Sequence, residues 1–134
     1  MTQFSETLMD YFQSPRNQGE MESPDCVGVA GIPGQGRYIQ LFVRLTEDRV
    51  EQMRFHCYGC GVTVAVCSAL TELVERQTKL DCENIGIDDV VRLLDGVPAH
   101  KMDVVHFGIA ALKLALEDWS RIDESRVGTQ KESE

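Results

Sequence analysis

The sequence predicts an α+β fold: a small antiparallel sheet of about three strands, covered on one face by helices. Two observations predict it. Apolar and polar residues alternate over 39–45 and again over 50–58, the period of half-buried strands. From residue 62 onward apolar residues recur at helical spacing instead. There is no internal repeat and no low-complexity block, so one domain is expected over residues 1–122. Residues 123–134 are charged and small and are expected to form a disordered tail.

The elements follow in order. Phe4, Leu8 and Tyr11 or Phe12 sit at helical spacing, and Ser14-Pro15 ends that first short helix because proline and its predecessor disfavour helix. Residues 26–32 suit a short strand closed by the turn residues Gly31-Ile32-Pro33-Gly34-Gln35-Gly36. Ile39, Leu41, Val43 and Leu45 then alternate with Gln40, Phe42 and Arg44. After the charged turn Glu47-Asp48-Arg49, residues Met53, Phe55 and Cys57 alternate with Gln52, Arg54 and His56, giving a hairpin. A helix is predicted over Val62–Arg76 with Leu70, Leu73 and Val74 buried, and a shorter one over Asp88–Leu94, stopped by Gly96. Pro98 suits the first turn of the last helix, about Ala99–Ile122, which should bury Val105, Ile109, Leu112, Leu116 and Trp119.

Composition limits the function classes. The 134 residues are 43% hydrophobic, enough for one packed core. Lys and Arg number 13 against 22 Asp and Glu, a net charge of −9. That acidity argues against nucleic acid, whose phosphates need a basic surface, and suits a basic protein or a metal cation. No run approaches the roughly 18–20 apolar residues of a membrane span. The opening residues carry no cationic start or apolar run, so a cytoplasmic location is expected, with the five cysteines as thiols or ligands.

The most informative stretch is Cys57-Tyr58-Gly59-Cys60-Gly61, at a strand-to-helix junction. Glycines beside Cys60 allow a sharp turn and close approach to its sulfur. The helix start that follows favours thiolate, the form that binds metal or attacks sulfur. The alternative is a cysteine acting as a small buried hydrophobe. The C-x-x-C spacing of Cys57 and Cys60 also fits dithiol redox or zinc chemistry. Strand parity, however, turns Cys57 to the core beside Met53 and Phe55, and no second ligand pair stands at zinc spacing. Cys67 lies about 10 Å further along the helix and reads as packing, and Cys26 and Cys82 as structural. On the last helix, Asp103 and His106 share a face and could offer a metal an oxygen and a nitrogen. Asp103 also suits simple stabilisation of the helix start. No phosphate-binding loop, nucleophile elbow or carboxylate pair appears, so no enzyme activity is expected.

The segment Tyr11-Phe12-Gln13-Ser14-Pro15-Arg16-Asn17-Gln18-Gly19 resembles the helix-then-PRN-x-G opening of the IscU/NifU N-terminal scaffolds for iron–sulfur cluster assembly. Phe55-His56-Cys57-Tyr58-Gly59-Cys60-Gly61 resembles their Tyr-Gly-Cys-Gly loop, and Ala111–Trp119 the end of their last helix. The resemblance covers roughly residues 4–120. It implies a scaffold that receives sulfur from a cysteine desulfurase, builds an iron–sulfur cluster on three cysteines with an aspartate and a histidine nearby, and passes it on. Cys60 falls on the middle cysteine. Gln35 stands at the first cysteine's position and Arg37 at the aspartate's, while the family's His-Cys pair falls on Asp103-Val104. The family's chaperone-docking Leu-Pro-Pro-Val-Lys reads Val97-Pro98-Ala99-His100-Lys101 here. What the resemblance leaves is iron or a cluster on a mixed site of Cys60, Asp103 and His106, a cluster shared by a homodimer through paired Cys60 residues, or zinc. Arg37 could instead pair with Asp103. A cluster-free adaptor of a desulfurase and a thiol-redox protein are the alternative functions.

Overall fold

The computed structural model describes the backbone of residues 4–133 and the side chains of residues 4–125. The chain runs α1 (Glu6–Gln13), β1 (Cys26–Gly31), β2 (Tyr38–Thr46), β3 (Arg49–Tyr58), α2 (Gly61–Val74), α3 (Lys79–Glu83), α4 (Ile87–Leu93) and α5 (Met102–Ser133), with a 3-10 turn at Ala99–Lys101 before α5. The strands form one antiparallel sheet in the order β1-β2-β3, as the alternation predicts.

Strand parity decides which residues enter the core. Ile39, Leu41 and Val43 of β2 and Val50, Met53 and Phe55 of β3 are buried on one face. A bulge between Arg44 and Leu45 interrupts the alternation, leaving Leu45 only half-buried. Helices α2 and α5 cover this face, α5 over β1 and β2 and α2 over β3. The α5 positions Val105, Ile109, Leu112, Leu116 and Trp119 are buried as expected. Gly28 sets how close α5 lies to β1: a Cβ there would stand 2.4 Å from the Ala111 carbonyl oxygen and 2.4 Å from the Ala115 nitrogen. The carboxylate of Asp118 ties the same helix to the strand, accepting the Val27 N–H at 2.8 Å.

The Arg16-Asn17-Gln18-Gly19 segment stitches α1 to the rest. The Gly19 N–H donates to the Phe55 carbonyl at 2.7 Å and the Phe55 N–H to the Asn17 carbonyl at 3.1 Å, so this segment runs against β3. Asn17 Nδ2 donates to Thr71 Oγ1 at 3.0 Å, and the Arg16 N–H to Ser68 Oγ at 3.2 Å. These bonds add to the ones the two buried hydroxyls already donate, Ser68 Oγ to the Tyr11 carbonyl at 3.3 Å and Thr71 Oγ1 to the Ser68 carbonyl at 2.7 Å. Asn17 adopts φ 60°, a left-handed conformation that asparagine tolerates better than most residues.

Two boundaries differ from the sequence reading. The short helix α3, capped by Thr78 through a bond from the Asp81 N–H at 3.2 Å, falls where no helix was expected. The last helix begins at Met102 after the 3-10 turn, and its backbone continues to Ser133, past the Ile122 end expected from apolar spacing. The side chains of residues 126–134, most of the expected tail, lie outside the described residues.

Candidate functional site

Cys60 is the residue just before α2. Its backbone is extended (φ −83°, ψ 176°), and its side chain is exposed at the corner where β3 turns into α2. Gly61 makes room for α1 at that corner, because a Cβ there would lie 2.4 Å from the Phe12 ring. The sulfur thus faces the first turn of α2, whose N–H groups have no helical partners.

Four groups address the sulfur. Thr63 Oγ1 lies 3.6 Å from Sγ, the Val62 and Thr63 amides approach it, and Lys101 Nζ stands 3.7 Å away. Partial burial alone would raise the thiol's pKa. The Thr63 hydroxyl, the two amides and the Lys101 ammonium outweigh it and hold the pKa below its ordinary value. A cavity of about 180 Å³ opens beside the sulfur, lined by Phe4, Leu8, Phe12, Gly61 and Val62, with Lys101 at its edge. One wall of the thiol site is therefore the apolar side of α1.

The other thiols behave differently. Cys57 is half-buried on the core-facing side of β3, as strand parity predicts. A hydrogen bond from Cys67 lowers its pKa, while burial within α2 holds Cys67 itself protonated. Burial pushes Cys26 and Cys82 up to about 12. All five cysteines are free.

The residues at the expected ligand positions take other partners. Arg37 Nη1 donates to Asp103 Oδ2 at 3.0 Å, and the Arg37 guanidinium lies 4.4 Å from the centre of the Phe107 ring. The Arg37 bond comes first among the causes that hold the Asp103 carboxyl below its usual pKa, with amides at the start of α5 adding to it. His106 is exposed on the same helix, Gln35 is exposed in the β1–β2 turn, and Val104 is packed in the core. Among the described residues, no three His, Cys, Asp or Glu side chains gather so as to hold a metal ion. Cys60, Asp103 and His106 therefore do not converge on one point. The Lys101–Cys60 contact escaped sequence reasoning because it joins residues 41 apart, which carry no shared local pattern.

Fold and site together define a class. This is a helix-covered antiparallel sheet that presents an exposed thiol of lowered pKa at a glycine-flanked corner. A family model described as "NifU-like N terminal domain" matches residues 3–126. The iron–sulfur cluster assembly scaffold protein IscU 1 of Archaeoglobus fulgidus is 32% identical over 98% of this chain and 89% of its own length. The IscU scaffold protein of Aquifex aeolicus is 30% identical over 92% of this chain and 82% of its own. A solved scaffold protein for the SUF system from Fervidobacterium islandicum has the same fold, with a TM-score of 0.66 at 18% identity over 84% of this chain and 96% of that one. The chain belongs to the NifU-like N-terminal domain family.

Proposed function

We propose that this chain serves iron–sulfur cluster assembly as a scaffold-type carrier whose working group is the Cys60 thiolate. The single observation that carries this reading is the exposed Cys60 sulfur at the start of α2, beside Lys101 and the cavity against α1. Family membership supports the assembly context, since the relatives named above are scaffolds. In this reading the cargo is the cluster or its component sulfur and iron, and the sulfur donor is a cysteine desulfurase. Asp103 and His106 are the candidate oxygen and nitrogen donors on α5, and Asp103 must leave Arg37 to serve as one. The chain carries its cargo and catalyses no turnover of its own. Among the described residues no helix is long and apolar enough to cross a membrane.

The test is sulfur transfer from a cysteine desulfurase given radiolabelled cysteine. Label should reach the wild-type chain on a reducible bond and fail to reach Cys60→Ala. Equal labelling of the two chains would exclude Cys60 as the working group.

A further inference from the structure

The C-x-x-C spacing joins Cys57 to Cys60 in sequence, but the fold gives Cys57 a different partner. Cys57 is the penultimate residue of β3 and stands opposite Ile39, on the sheet face that the helices cover. Gly59 lets the chain turn tightly from β3 into α2, since a Cβ there would lie 2.6 Å from Thr63 Oγ1. With α2 laid back over β3, the Cys67 S–H donates to Cys57 Sγ. Both residues are free thiols. The Cys60 sulfur is turned to other groups, Thr63 Oγ1 at 3.6 Å and Lys101 Nζ at 3.7 Å.

The two sulfurs are not equivalent. Cys57 is half-buried, so a small molecule can reach it, and it accepts the hydrogen bond. Cys67 has no exposed surface and supplies the proton. A reachable thiol in contact with an enclosed one is the arrangement of an oxidisable cysteine and its resolving partner. Sulfurs already in contact also meet the first requirement for bridging. In a reducing compartment such a bridge is transient and regulatory rather than structural.

We propose that Cys57 and Cys67 form an oxidation site that closes to a disulfide when the chain meets hydrogen peroxide. Cys57 Sγ⁻ attacks one peroxide oxygen. An S–O bond forms, the O–O bond breaks, and hydroxide leaves and takes a proton from solvent. Cys67 Sγ then attacks Cys57 Sγ, the S–O bond breaks, and the departing hydroxide carries off the Cys67 proton as water. The sulfurs together lose two electrons, and the peroxide gains them. The new bond ties β3 to α2 around residues 57–67, the segment that carries Cys60, and leaves the Cys60 thiol unspent. Oxidation thus braces the corner until a thiol reductant releases it.

The experiment treats the full, reduced chain with equimolar hydrogen peroxide and blocks the remaining thiols with N-ethylmaleimide in urea. Reduction, iodoacetamide labelling and fragment-ion mapping then locate the cysteines that had been bridged. Wild type and Cys60→Ser should both carry the second label on Cys57 and Cys67 together. Cys67→Ser should form no such bridge and should instead hold a Cys57 sulfenic acid that dimedone traps. Cys57→Ser should leave Cys67 reduced. The bridged wild type should unfold at a higher urea concentration than the reduced chain and return to the reduced midpoint with dithiothreitol. The Cys60→Ser arm leaves the core untouched, so it decides the pairing even where a Cys67 variant fails to fold. A bridge between Cys57 and Cys60 in the wild type, no bridge in Cys60→Ser, undiminished oxidation of Cys67 in Cys57→Ser, or an unchanged urea midpoint would overturn the proposal. These outcomes leave the role of Cys60 in sulfur transfer to its own radiolabel test.

Discussion

At the scale of single residues, the five cysteines separate by environment, although their sequence contexts share one chemistry. Cys60 has first-turn amides, a hydroxyl and an ammonium around it, and its pKa is lowered. Cys26 and Cys82 are buried and raised to about 12, and Cys67 is raised by full burial, while Cys57 is lowered by a bond from Cys67 but is half-buried on the core side of β3, so only Cys60 combines a lowered pKa with exposure. The sign is direct: a lowered pKa puts more thiolate at neutral pH, and thiolate is the species that alkylates. Limited iodoacetamide treatment of the native chain should therefore modify Cys60 first, with a rate midpoint below the value of about 8.5 for a free cysteine. Peptide mapping across a pH series checks this, and a midpoint above that value would contradict the arrangement. The Cys60 corner was legible in sequence, because two glycines and a strand-to-helix change frame it. The partner of Asp103 was legible only as one of two options, since sequence shows that Arg37 has a compatible charge but not which fold brings it near.

At the scale of elements, α5 and β1 are joined by one close approach and one polar tie. Gly28→Val would drive a side chain into the α5 backbone at Ala111 and Ala115. The overpacking should cost roughly 1–3 kcal/mol, read as a lowered urea midpoint at unchanged slope. Asp118 supplies the tie. Desolvation raises its pKa, but the Val27 amide and Arg121 outweigh it, and the net shift is downward. A carboxyl lowered on folding adds stability above its unfolded pKa of about 3.9 and loses it as pH falls through that range. Wild-type stability should therefore fall more steeply than that of Asp118→Asn between neutral pH and about pH 3, in urea titrations of both. The strands were legible because alternation has only two faces to choose between. Helix α3 was not: its five residues are too few for a periodic signal, and its start rests on a Thr78 cap that resembles an ordinary loop residue. The extension of α5 past Ile122 was missed because apolar spacing reports burial, and a helix needs no buried face to continue.

At the scale of the whole molecule, charge is divided between two ranges. The chain carries a net −9, yet Lys101 and Arg37 stand beside Cys60 and Asp103. With a Debye length of about 8 Å at physiological salt, the net negative charge weighs on an approaching molecule only near the surface, and reaches further as salt is lowered. A small anionic sulfur donor must therefore cross a repelling shell before it reaches an attracting point, whereas a protein donor with a basic face is drawn in from the start. Added salt should accelerate sulfur uptake from glutathione persulfide and slow it from a basic-faced protein donor. Stopped-flow rates across an ionic-strength series would show the opposing slopes, and parallel slopes would refute the division. Such a surface would act as a filter on provenance, turning away the free cellular persulfide pool and admitting sulfur delivered by hand from another macromolecule.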